Sequence, residues 1–78
     1  MEETGDRAPF AIFITHKRHQ EKISQRALAL VLDVTQTKIH GWEKGARAPH
    51  ARHLFHLFAA LKLSAHEREL ALILLAQS

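Results

Sequence analysis

The run from Ser24 to Pro49, SQRALALVLDVTQTKIHGWEKGARAP, restricts what this chain can fold into more than any other segment. Ala27, Leu28, Val31 and Leu32 recur at helical spacing, which predicts a helix over Gln25 to Leu32 with those four residues as its buried stripe. Ser24 stands just ahead, where a hydroxyl accepts from an unpaired N–H of the first turn. Asp33 and Val34 break the pattern. Thr35 then caps a second helix, Gln36 to Glu43, whose inward residues are Ile39 and Trp42. Gly45 follows where a left-handed conformation ends a helix at no Cβ penalty.

The flanking segments extend the helical pattern, and none alternates as a strand would. A first helix is expected from about Pro9 to Gln20, with Phe10, Phe13, Ile14 and the stem of Lys17 turned inward. Pro9 suits its first turn, where a missing N–H costs nothing. A fourth helix should span about His50 to Leu61, with Leu54, Leu57, Phe58 and Leu61 facing in. Ser64-Ala65-His66-Glu67 is a capping box that opens a fifth, about Ala65 to Ala76. Ala29 is small enough to sit where helices two and three cross. The fold class is therefore all-α: a compact bundle of five short helices around a central helix-turn-helix. Residues 8–78 form the one domain, residues 1–7 read as a flexible acidic tail, and no internal repeat is evident.

A chain of 78 residues has a marginal core, because a domain this small buries only about 60 % of its unfolded surface. It has no cysteine, so neither disulfides nor thiolate metal sites add stability. Charge is distributed unevenly. Residues 1–6 hold three acids and no base, residues 7–52 hold nine bases against three acids, and residues 53–78 balance at two each. The positive field thus lies on the central helices and their flanks, the footprint of a polyanion binder. No apolar run approaches the roughly 18 residues of a membrane span, and the acidic start is unlike a signal peptide, so a cytoplasmic protein, nucleoid-associated when DNA-bound, is expected.

Two short helices joined by a turn of three or four residues place the second helix in the major groove of DNA. Ser24-Gln25, Leu28-Ala29, Leu32, Val34, Gln36, Ile39, Trp42-Glu43, Gly45 and Pro49 together resemble the lambda repressor/Cro helix-turn-helix family, also called the XRE family, over about residues 9–64. The resemblance implies a lambda repressor-like bundle and a transcriptional regulator, mostly dimeric in that family. It also implies an ion pair between Arg18 and Glu43 that ties helix one to the end of the recognition helix. Base reading falls to Gln36, Thr37, Lys38 and His40 on its outer face, glutamine suiting adenine and threonine a thymine methyl. In family members the position of Gly41 often carries a long polar side chain that reads a base, which glycine cannot do; the number of bases read is thereby reduced, or the backbone approaches DNA more closely. Phosphate contacts are expected from Gln25 at a helix N-terminus, and from Lys44, Arg47, Arg26 or Arg52.

Leu70 to Ala76 is apolar on every side, and Phe55 adds to the surplus, so Phe55, Leu70, Leu74 and Leu75 are expected to form a dimer interface. Double-stranded DNA and a second copy are the expected partners, with a protein partner possible at the same surface and no small-molecule ligand or cofactor. A repressor on a palindromic operator follows, since no effector, ligand-sensing or self-cleaving segment accompanies the domain. The rival from another class is an antitoxin or other partner-binding helix-turn-helix module, but the polar outer face Gln36-Thr37-Lys38-His40 favours DNA. An enzyme finds no support: there is no phosphate loop or nucleophile elbow, and Ser24 and Ser64 are explained as caps. Seven histidines include i, i+3 sets at His16/His19 and His50/His53/His56, yet no cysteine joins them and no carboxylate lies within a turn of the second set, so no metal site is expected. Protonation of histidines near phosphates would raise affinity below about pH 6.5.

Overall fold

A computed structural model describes residues 8–77; the acidic tail expected at 1–7 lies outside the described residues. The element order is α1 (Pro9–Gln20), α2 (Gln25–Leu32), α3 (Gln36–Lys44), α4 (Ala51–Ala60) and α5 (Ala65–Gln77), with no strand among the described residues. α1 packs on α3 and α5, while α2 packs on α3 and α4. Phe10, Ile14, Leu28, Leu32, Ile39, Trp42, Leu57, Phe58 and Leu61 meet in one core, to which α5 adds Ala71.

Three of the four connections between helices are built alike. Each consists of a left-handed residue, an apolar residue and a capping hydroxyl: Lys22-Ile23-Ser24, Asp33-Val34-Thr35 and Lys62-Leu63-Ser64. The left-handed residues have φ of 58°, 57° and 57°. The apolar residue's N–H returns to a carbonyl five residues back, from Ile23 to Arg18, Val34 to Ala29 and Leu63 to Phe58, which satisfies the orphan carbonyls of the preceding helix. The hydroxyl then accepts from the third residue of the next helix: Ala27 N–H to Ser24 Oγ, Lys38 N–H to Thr35 Oγ1, Glu67 N–H to Ser64 Oγ. One helix is closed and the next opened within three residues. The fourth connection is longer and uses Gly45 at φ 77°, where a Cβ would stand 3.2 Å from the backbone nitrogen of Ala8.

The capping box at Ser64 is complete, Glu67 Oε1 accepting from the Ser64 N–H at 3.0 Å and its other oxygen from Lys17 Nζ at 2.9 Å. The Ser64 N–H and then Lys17 hold the Glu67 carboxyl below its ordinary pKa. Lys17 therefore does more than lend its stem to the core; it pins α1 to the start of α5.

Two stripes differ from expectation. In α2 the buried residues are Leu28, Ala29 and Leu32, whereas Val31 is 64 % exposed and Ala27 half-buried. The inward stripe runs through half-buried Gln25 to Leu28, Ala29 and Leu32, and its polar first member hid its register in an otherwise apolar helix. In α5 only Ala71 is fully buried; Leu74 and Leu75 pack half-buried against the core, and Leu70, Leu72 and Ile73 face out.

Lys22 makes no ion pair or hydrogen bond through its side chain among the described residues, and a non-glycine residue at positive φ is strained. Lys22→Gly should therefore stabilise the fold by up to about 1 kcal/mol. Thermal melts should show a rise of about 4–8 °C for each kcal/mol gained. An unchanged or lower melting temperature would mean that the left-handed conformation carries no such cost here.

Candidate nucleic-acid interface

α3 is fixed at its start by Thr35 and at its end by Gly45, and it is held from beneath by Ile39, Trp42 and Glu43. With those three inward, Gln36, Thr37, His40 and Lys44 stand exposed on the other side. Lys38 is half-buried toward α4, one of the charges that disfavour protonation of His53. Gly41 is half-buried, with the stem of Arg47 lying beside it.

A buried polar chain anchors this surface. Arg18 and Glu43 are 8 % and 5 % exposed and form a two-point ion pair, Nε to Oε2 at 2.5 Å and Nη2 to Oε1 at 3.0 Å. Arg18 also donates from Nη1 to the Ile23 carbonyl at 2.9 Å, in the turn that joins α1 to α2. Its Nη2 lies 3.1 Å from His19 Nε2. Glu43 accepts a further bond from Gln25 Nε2 at 3.0 Å. Gln25 Oε1 in turn faces Gln36 Nε2 at 3.5 Å, the long end of hydrogen-bond range. A continuous path thus runs from the interior to the first residue of α3.

This path changes the account of Gln25. Its amide, expected to serve a phosphate, spends its oxygen on Gln36 and one N–H on Glu43, leaving one N–H for an outside acceptor. Gln25, Gln36, Thr37 and His40 line one shallow depression, and Lys44 borders the neighbouring one with Gln25 and His40. Arg26, Lys44, Arg47 and Arg52 are all exposed, giving cations on both flanks of the polar face.

His53 is a participant that the i, i+3 histidine row signalled without revealing. Its ring packs on Trp42 with centroids 5.8 Å apart, and its Nε2 is buried without a hydrogen-bond partner. Burial first, then Arg52, Lys38 and the neighbouring histidines, push its pKa below the ordinary value. Protonation of His53 is therefore disfavoured where it packs against Trp42 of α3. Among the described residues no three His, Asp or Glu side chains gather as a metal site, and no helix is long and apolar enough to cross a membrane.

Of the residues expected at an interface between copies, Phe55 is 72 % exposed beside a groove between α4 and α5 lined by Leu54, Phe58, Arg68 and Leu72. Leu70 is exposed as well. Leu74 and Leu75, three and four positions beyond the fully inward Ala71, pack half-buried against the domain's own core.

A family model described as helix-turn-helix matches residues 16–67, about two thirds of the chain and the whole of α2, α3 and α4. The chain belongs to this XRE, or lambda repressor-like, helix-turn-helix family. It is a DNA-binding regulatory domain, as the family is. No curated protein matches it.

Removal of one partner of the ion pair is expected to be costly, and replacement of both far less so. Glu43→Ala leaves the Arg18 guanidinium buried without its carboxylate and should cost about 3–5 kcal/mol, against about 0–1 kcal/mol for an exposed pair. In urea denaturation the double variant Arg18→Met/Glu43→Leu should recover most of that loss. A Glu43→Ala cost below 1 kcal/mol would show that the pair behaves as a surface one.

Proposed function

We propose that the domain is a transcriptional repressor that binds a two-fold-symmetric operator as a homodimer, with α3 of each copy in a major groove. The observation that carries this reading is the rigid, polar outer face of α3, tied through Gln36, Gln25 and Glu43 to the buried Arg18. With one Gln36 N–H given to Gln25, its oxygen and other N–H remain, the acceptor and donor that an adenine N6/N7 edge requires. Thr37 and His40 add contacts beside it, and Lys38 reaches from the α4 side of the helix. Arg26, Lys44 and the remaining Gln25 N–H serve phosphates, which position the protein without reading sequence. Occupancy alone suffices for repression, because a bound dimer excludes other proteins from the same base pairs.

The dimer surface in this reading is the α4–α5 groove with Phe55, extended by Leu70, Leu72 and Ile73. Exposed apolar side chains grouped at a groove, as Phe55 and Leu72 are, mark an interaction site. The same exposure also favours a second reading, in which a different protein docks there, as in an antitoxin.

Selection from a random DNA library at moderate salt tests the reading. A motif with two-fold symmetry and half-site centres about 34–36 Å apart is the expected product. Gln36→Ala should lose preference at one position of each half-site, at about 1–3 kcal/mol, with the fold intact by circular dichroism. Unchanged specificity would place Gln36 away from the bases, and no enrichment at all would move the function to partner binding.

Phe55→Glu should leave the melting temperature nearly unchanged while lowering the dimer fraction in sedimentation at micromolar concentration. A variant still fully dimeric would exclude the α4–α5 groove as the contact between copies.

A further inference from the structure

Position 41 lies one turn beyond Thr37 on the outer face of α3, so a side chain there would point into the same groove. Glycine supplies none, but the space is not empty. A Cβ built on Gly41 would meet Arg47 Cγ at 3.2 Å, Cδ at 3.3 Å and Nε at 3.5 Å. The stem of Arg47 therefore crosses the helix where a residue-41 side chain would begin, and its guanidinium starts over that point. Two backbone bonds hold the crossing in place: the Gly41 carbonyl accepts from the N–H of Ala46 at 3.0 Å and of Arg47 at 3.4 Å. The side chain is exposed, and among the described residues nothing accepts a hydrogen bond or forms an ion pair with it. A side chain at 41 would require the Arg47 stem to give by a few tenths of an ångström.

We infer that Arg47, laid across Gly41, serves as a base-reading residue that donates to the O6/N7 edge of a guanine next to the base pairs facing Gln36 and Thr37. This deepens the DNA-binding reading above and rests on it. A phosphate contact is the competing role for any exposed arginine, and location separates the two. Phosphates flank the groove, whereas the stem of Arg47 lies beside Gly41, one turn from Thr37 on the face that enters it. The guanidinium fork matches two acceptors on one guanine, a pairing that a lysine ammonium cannot reproduce.

The test compares wild type, Arg47→Ala and Arg47→Lys in the same library selection, followed by titrations on the selected DNA and on a scrambled duplex. The wild-type motif should contain a conserved G·C pair beside the positions lost in Gln36→Ala. Arg47→Ala should lose preference at that pair alone and reduce the selected-to-scrambled affinity ratio by about 5- to 150-fold. Arg47→Lys should restore affinity for scrambled DNA but not the G·C preference. The inference is overturned if Arg47→Ala weakens both duplexes equally and Arg47→Lys restores both, a phosphate contact that leaves the DNA-binding reading standing. Failure of the wild type to select any sequence would overturn both. Because Arg47 is exposed, neither variant threatens the fold, and matching thermal melts confirm that the comparison is of folded proteins.

Discussion

The position of the recognition helix depends on one buried ion pair. Arg18 reaches from α1 to Glu43 near the end of α3, and on the way it also binds the Ile23 carbonyl in the α1–α2 turn. One guanidinium therefore fixes three pieces of backbone at once. Arginine suits this task and lysine would not, because its planar fork makes two parallel bonds to a carboxylate and still has donors left. Burying two charges is expensive, and the bridge stabilises the domain chiefly in the sense that neither partner tolerates loss of the other. What the pair adds beyond stability is geometry. Glu43 accepts from Gln25, and Gln25 faces Gln36, so the residue proposed to read a base is linked to the core.

The helical framework was legible in the sequence because caps and breakers speak locally. Ser24, Thr35 and the Ser64/Glu67 box mark three helix starts in place, and Pro9 marks a fourth. What escaped was the left-handed residue that precedes each apolar-hydroxyl pair. Lysine carries no signal for positive φ and aspartate only a weak one, so Lys22, Asp33 and Lys62 read as ordinary polar positions. Facing was hardest to read where a helix is apolar throughout. In α2 the choice between Ala29 and Val31 as the inward residue is made by α3, which approaches closely enough to require alanine; in α5 the corresponding choice is made by Ala71. Sequence periodicity cannot decide between neighbouring apolar positions, because nothing polar marks the outside.

The candidate site divides in the same way. Gln36, Thr37 and His40 were legible as an outward face from helical spacing, and the structure leaves them exposed. The second layer was not legible, because it joins residues far apart in the chain: Gln25 to Glu43 over 18 residues and Arg47 against Gly41 from beyond the helix end. His53 belongs to this layer too. Its ring covers Trp42 while its Nε2 lacks a partner, and burial opposes its protonation. An uncharged aromatic surface there lets α4 close over the recognition helix without placing a fixed cation against its inner side.

A small domain with part of its apolar surface uncovered has its folding, assembly and DNA binding thermodynamically linked. A partner that covers the α4–α5 groove, and a DNA that engages α3, each bind only the folded chain and therefore stabilise it by mass action. The two surfaces meet in α4, which presents Phe55 to the groove and His53 to Trp42 of α3. Rigid packing along that short path would let one copy hold its recognition helix at a fixed orientation relative to the other. In the proposed dimer, spacing between half-sites would be set by the contact between copies, and base preference within each half-site by residues of α3 and the loop that follows it. The two properties reside in separate residues, so each is free to vary without disturbing the ion pair on which both depend.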